Sequence, residues 1–183
     1  MERAAGLFAE RGIAATSVDE VLEAAGAGKG QFYHYFRGRD ELAAAAVGYR
    51  CAQVVAGLTQ ALGGVSSLAG LEQALAGFVS GFDQAGMPGC PIGTLATEVA
   101  GRNEDARLQA AAGFDAWERL LADALERMRQ RGELRPDAAP AALATGLLAS
   151  IEGGMVLSQA RKDMASLRIA VEAGLAQVRA YLN

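Results

Sequence analysis

Residues 16–36 read TSVDEVLEAAGAGKGQFYHYF, and this stretch decides the fold. Ser17 followed three residues later by Glu20 is a capping box, in which each side chain satisfies a free backbone amide at the start of a helix. Val18, Val21, Leu22 and Ala25 then recur at i, i+3, i+4 and i+7, one apolar stripe along a short helix. Gly26-Ala27-Gly28 interrupts it. From Gly30 to Phe36 the spacing predicts two further helical turns with Phe32 and Phe36 on the inner side. That turns Gln31, His34 and Tyr35 outward and leaves Tyr33 at the edge. Two short amphipathic helices joined by a tight turn form the helix-turn-helix layout, whose second helix enters the major groove of DNA.

Working outward, the flanks extend the helical pattern. Met1 to Arg11 carries Leu7 and Phe8 and stops at Gly12, a common residue after a helix end. Arg37-Gly38 breaks the chain, and a long helix is predicted over Arg39–Leu62. The composition shifts at Gly63-Gly64. Beyond it the pattern predicts helices over 67–85, 92–101, 104–131, 139–161 and 166–182. The strongest is 104–131, where Asn103 can cap, Glu104 and Asp105 open the first turn, and Arg127, Arg129 and Arg131 close the last. Acid at the start and base at the end both favour the helix dipole. The last helix carries Leu167, Val171, Leu175, Val178 and Leu182 in one stripe. The expected fold is all-α, with a three-helix N-terminal unit over 1–45 and a larger helical domain over 46–183.

Composition narrows the function classes. The chain has 183 residues, 51% of them hydrophobic, and a net charge of −4. That charge excludes a protein that coats nucleic acid indiscriminately, while a local DNA-reading face stays compatible with it. Cys51 and Cys90 make neither a disulfide framework nor a metal site, which fits a reducing cytoplasm. No basic leader with an apolar core and cleavage site is found. The apolar stretch Ala138–Leu157 includes Pro140 and Glu152 and reads as a buried helix rather than a membrane span. His34 is the sole histidine, so no histidine-based triad can form in the C-terminal domain. HExxH, P-loop and dinucleotide signatures are missing as well. No catalytic residue, metal or cofactor is therefore expected.

From Gly26 to Arg39 the sequence holds no carboxylate, whereas Lys29, Arg37 and Arg39 are basic. Such a surface is a phosphate-binding footprint. At these residues the chain resembles the TetR family of transcriptional regulators. The matching positions are Leu7-Phe8, Gly12, Thr16 to Glu20, Ala25-Gly26, Lys29-Gly30, Phe32 to Phe36, Arg39 and Leu42. The resemblance implies a cytoplasmic all-α homodimer that binds palindromic double-stranded operator DNA. It further implies that Thr16, Ser17, Lys29 and Tyr33 grip phosphate, that Arg39 is the DNA-binding basic residue opening the fourth helix, and that Gly30 and Gln31 face base edges. His34 and Tyr35 reach either backbone or bases. Where a Val-Ser pair is common in the family this chain has Ala27-Gly28, so a serine cap on the recognition helix is lost. The first helix also starts late, so the usual basic arm ahead of it is either missing or lies outside this sequence. The segment Gly89-Cys90-Pro91-Ile92-Gly93 is similar to the drug- and flavonoid-responsive branch of the family.

For the C-terminal domain, the expectation is a mostly apolar cavity between helices. Phe82, Leu95, Phe114, Trp117 and Met155 are its expected lining, for a small-molecule inducer with few polar groups. Glu98 and Glu152 lie in apolar helices and either orient a ligand or bond a neighbouring helix or partner subunit. Cys90 is either a thiol sensor or, with no flanking base to activate it, more readily a packed or capping residue. The 139–161 and 166–182 helices, with Gly146, Ala149, Gly153 and Gly154, are the expected homodimer surface. The favoured function is a repressor released from its operator by ligand. The alternatives are a ligand-binding protein of this fold without DNA binding, and an activator.

Overall fold

The computed structural model describes residues Met1 to Asn183. It is built of nine helices: α1 (Glu2–Arg11), α2 (Val18–Ala25), α3 (Lys29–Tyr35), α4 (Arg39–Leu62), α5 (Leu68–Gln84), α6 (Pro91–Val99), α7 (Glu104–Gln130), α8 (Pro140–Arg161) and α9 (Ala165–Arg179). The all-α class and the order of helices match the sequence pattern. Two compact units form, Met1–Val55 with Pro91–Phe114, and Ala56–Cys90 with Asp115–Asn183. Helices α4 and α7 each contribute residues to both.

In the first unit, α1 to α3 bury Ala4, Ala5, Phe8, Val21, Leu22 and Phe32. The capping box at Ser17 forms as expected: Ser17 Oγ accepts from the Glu20 amide, and the Ser17 amide donates to Glu20 Oε2 at 2.7 Å. Gly26 ends α2 in the left-handed conformation at φ 62°, a region that side chains disfavour. Gly28 begins α3 without a side-chain cap. Asn103 caps α7 through its Oδ1, which accepts from Ala106 N at 2.9 Å. Its Nδ2 donates to Asp40 O, also at 2.9 Å, so one amide side chain starts α7 and holds the first turn of α4.

The second unit centres on the α8–α9 pair. A Cβ added at Gly154 would meet Ala170 Cβ at 2.8 Å and Leu167 Cα at 3.0 Å, and one at Gly174 would meet Leu147 Cδ1 at 2.5 Å. The two backbones pack too closely for larger residues at these points. Ser158, fully buried on α8, accepts from Leu167 N at 2.9 Å. Arg127 of α7 donates to the carbonyls of Leu62 (3.1 Å), left open at the end of α4, and of Val65 (2.8 Å) in the connection to α5. Glu133 accepts from Leu68 N at the start of α5, and Arg179 of α9 binds Glu72 of α5 at 2.6 Å.

Two details differ from the sequence pattern. Helix α9 ends at Arg179, although Leu182 continues its apolar spacing. The last residues instead pair with 133–135: Arg135 N donates to Tyr181 O at 2.8 Å, Asn183 N to Glu133 O at 3.1 Å, and the Arg135 guanidinium lies over the Tyr181 ring. Of the four small residues read as a dimer surface, Gly146 and Gly154 face α9 of the same chain, where added Cβ atoms would meet Gln177 and Ala170. Ala149 and Gly153 remain exposed on α8 beside Val156 and Leu157. Helices α4 and α8 are long and apolar enough to cross a bilayer, yet α8 buries Leu143, Leu147, Leu148, Ile151 and Met155 against protein. It is a core helix with one free apolar face.

Candidate nucleic-acid interface

Phe32 is the pivot of the recognition helix α3. It is buried, with the Phe36 ring 5.6 Å away and the Tyr33 ring edge-on at 5.0 Å. Anchoring one side of a seven-residue helix exposes the others. Gln31 and His34 are exposed, and Tyr33 and Tyr35 stand 67% and 65% exposed. His34 and Tyr35 meet edge to face at 4.9 Å. The sequence reading that turned Gln31, His34 and Tyr35 outward matches this arrangement, and a Cβ added at Gly30 would meet open space.

A shallow concavity of about 270 Å³ lies between α2 and α3, lined by Ser17, Val18, Asp19, Leu22, Lys29, Phe32 and Tyr33. It gathers Ser17, Lys29 and Tyr33, three of the residues expected to hold phosphate. It also contains a carboxylate that the sequence reading missed. The acid-free interval ran from Gly26 to Arg39, but α2 packs beside it and brings Asp19 to 3.0 Å from Lys29 Nζ. The missed signal was Asp19 in the first turn of α2. Glu20 pairs with Arg11 at 3.2 Å. Its carboxyl is held below the usual range, first by the Ser17 amide and hydroxyl, then by Arg11.

Two residues expected to bind DNA are committed elsewhere. Thr16 is buried, and its hydroxyl donates to Gly12 O at 2.8 Å, closing a carbonyl at the end of α1. Arg39 turns its guanidinium onto backbone carbonyls of the α1–α2 loop: Thr16 O at 3.3 Å, Ala14 O at 2.9 Å, and Ile13 O. Thr16 therefore presents no hydroxyl to solvent, and Arg39 braces the loop that carries Ser17. Glu98 joins this brace. Of the two uses left open for it, the one found is a bond to a neighbouring segment: its Oε1 accepts from Ala14 N at 2.9 Å. Gly12, at φ 84°, lets that carboxylate approach, since a Cβ there would lie 3.0 Å from it. Arg37 is an exposed turn charge, 95% open and 3.6 Å from Glu41.

The residues expected around a ligand divide between the two units. Phe82, Trp117 and Met155 belong to the second, and all three are buried. Trp117 packs on Phe78, ring centres 5.8 Å apart. Leu95 and Phe114 belong to the first unit. Glu152, also in the second unit, has a shielded Oε1 with no hydrogen-bond partner. Burial pushes its carboxyl up, opposed by a hydrogen bond from the Cys90 thiol. Arg50 Nε on α4 is the other shielded polar atom without a partner.

The chain matches two family descriptions. Residues 1–46 match the bacterial regulatory proteins of the tetR family, and residues 67–173 match the C-terminal domain of LmrA/YxaF-like transcriptional regulators. It is 36% identical over 172 residues to an uncharacterised HTH-type transcriptional regulator of Mycobacterium tuberculosis, covering 90% of this chain and 84% of that protein. To the HTH-type regulator YxaF of Bacillus subtilis it is 31% identical over 176 residues, covering 94% and 89% of the two chains. Among solved structures, a TetR regulatory protein from Rhodobacter sphaeroides superposes with a TM-score of 0.77 at 26% identity, over 99% of this chain and 96% of that one. With an exposed polar and aromatic recognition helix on a capped helix-turn-helix, and with relatives matched over nearly its whole length, this chain belongs to the TetR family of transcriptional regulators.

Proposed function

We propose that the protein is a repressor that holds a palindromic operator as a homodimer and releases it when a small, mostly apolar ligand binds among the helices of its second unit. As a TetR-family regulator it carries a helix-turn-helix DNA-binding domain and is not an enzyme. The observation that carries the reading is the exposed set Gln31, Tyr33, His34 and Tyr35 on a helix anchored by buried Phe32. Lys29, Ser17 and Tyr33 position the helix on phosphates, while Gln31, beside Gly30, reads a base edge. Thr16 and Arg39 act behind this surface. The functional division is a DNA-binding domain over 1–45 and a ligand and dimer domain over 46–183.

The dimer forms through the free faces of α8 and α9, where Val156 and Leu157 are 59% and 44% exposed and Ile169 is 69% exposed. Two recognition helices must then sit about 34–36 Å apart to enter successive major grooves. The ligand contacts Phe82, Trp117 and Met155, and the unpartnered Glu152 Oε1 accepts a hydrogen bond from its one polar donor. A tilt of α4, which contributes to both units, spreads the heads and lowers operator affinity.

An operator selected from a randomised duplex library tests the reading. Gln31→Ala should relax preference at one base position per half-site, by about 1–3 kcal/mol for a paired bond. Tyr33→Phe should weaken all sequences by one common factor, because a phosphate contact carries no sequence information. Identical profiles for the two variants over single-base operator changes would reverse the assignments. A library that yields no preferred sequence would favour a ligand-binding protein without operator function.

A further inference from the structure

The DNA-binding segment 1–46 carries five cationic side chains against seven carboxylates, a net side-chain charge of −2. A segment that must approach phosphate is thus acidic, and its cations are largely engaged within the chain. Arg39 is spent on carbonyls, Arg11 lies on Glu20, and Arg37 lies by Glu41. Lys29 is the one cation on the recognition helix, and it rests on Asp19 in the concavity it shares with Ser17 and Tyr33.

We infer that Asp19 is an affinity-limiting residue, an internal substitute for phosphate that occupies the Lys29 ammonium and must be displaced before DNA of any sequence can bind. The inference rests on the reading of Lys29 as a phosphate contact. Both side chains are 69% exposed, so the pair is loose enough to exchange. The ammonium is a compact charge on a flexible stem, and it can swing from a carboxylate to a phosphate without moving the helix. The exchange has two costs. The ion pair is lost, and the abandoned Asp19 carboxylate is left beside an incoming phosphate of the same sign. Neither cost depends on base sequence. Asp19 therefore lowers the electrostatic affinity that underlies non-specific binding, and a protein in a sea of genomic phosphate is held less by it.

The test uses the full-length protein with two duplexes, a mixed-sequence 30-mer and an operator selected from a random library. Asp19→Asn should tighten binding to both by about fivefold per engaged head at low salt, the sum of a surface ion pair and a screened repulsion. The slope of log affinity against log salt should steepen by about one per head, as Lys29 counts as a full phosphate contact. Glu23→Gln, which removes another exposed carboxylate of α2, should change affinity much less. In a Lys29→Gln background the gain from Asp19→Asn should shrink to the screened repulsion alone, because the ion-pair part of the competition acts through that ammonium. An undiminished gain there, or an equal gain from Glu23→Gln, would mean that Asp19 acts only as diffuse charge, and the inference is overturned. If Lys29→Gln weakens binding but Asp19→Asn brings no gain, the inference falls while the phosphate reading of Lys29 stands. If Lys29→Gln has no effect, both fall. Asp19 also opens α2, so helicity is followed by circular dichroism, and Asp19→Ser supplies the same loss of charge should the asparagine variant unfold.

Discussion

Thr16 and Glu152 set the terms at the scale of single residues, because each is a polar group taken out of water. Thr16 spends its hydroxyl on Gly12 O. Thr16→Val should cost about 1 kcal/mol of stability, the usual net value of such a bond, and leave the salt dependence of DNA binding unchanged. A salt slope that falls in the folded variant would restore Thr16 to the phosphate contacts. Glu152 behaves oppositely to a paired surface carboxylate. Burial raises its folded-state pKa above the unfolded value, so the native chain holds the proton over the interval between them. Its favourable contribution is complete below the ordinary carboxylate range and is lost as pH rises through the raised value. Glu152→Gln should therefore melt higher than the parent at pH 7.5, with the gap closing near pH 4. An equal gap at both pH values would show that its carboxyl is not perturbed. Gln31, His34 and Tyr35 were legible from sequence because a helical period sorts inward from outward positions once Phe32 and Phe36 are recognised as the buried side, whereas Tyr33, expected at the edge, is as exposed as Tyr35. Thr16 and Arg39 were not legible, since the groups they bond are backbone carbonyls, which leave no mark in a residue pattern.

At the scale of elements, helices with chemical punctuation were the easiest to read. Ser17 with Glu20, and Asn103 with its following acids, place the starts of α2 and α7 because the caps are side chains. The end of α9 was misread for the converse reason: apolar spacing runs on to Leu182, but backbone pairing with 133–135 stops the helix first. The Asp19–Lys29 pair leaves no mark in the sequence of α3, because the carboxylate reaches it from α2. Glu98 is a cross-element contact of the same kind, although as the sole ionisable residue of α6 it stood out in sequence. Its bond to Ala14 N ties α6 to the loop that delivers Ser17 and α2. Glu98→Ala should weaken operator binding by about fivefold, on the order of one exposed charge-assisted bond, while Glu98→Gln keeps an acceptor oxygen and most of the affinity. The amide resonance of Ala14 reports the bond directly. Equal affinity for all three proteins would make Glu98 a bystander.

For the whole molecule, the free faces of α8 and α9 carry the expectation of two-fold assembly. Ile169 is the most exposed large apolar residue of the chain. Ile169→Arg places two like charges near each other across a symmetric interface, and should weaken dimerisation at least about tenfold. Sedimentation over a concentration series measures it, and an unchanged dimer constant would move the interface elsewhere. The architecture was readable at this scale because helix count and order follow from local periodicity. Which residues of α8 face inward and which stay exposed was not, because Gly146 and Gly154 look the same in sequence as Gly153. One further property follows from where two rare residues lie. The chain has one histidine and one tryptophan, His34 exposed on α3 and Trp117 buried against Phe78 in the other unit. Each unit thus owns a private spectroscopic channel, the imidazole ring protons for the first and indole emission for the second. A single unlabelled sample can be titrated with DNA and with candidate ligands in turn, and the order in which the two signals move tells which unit responds first.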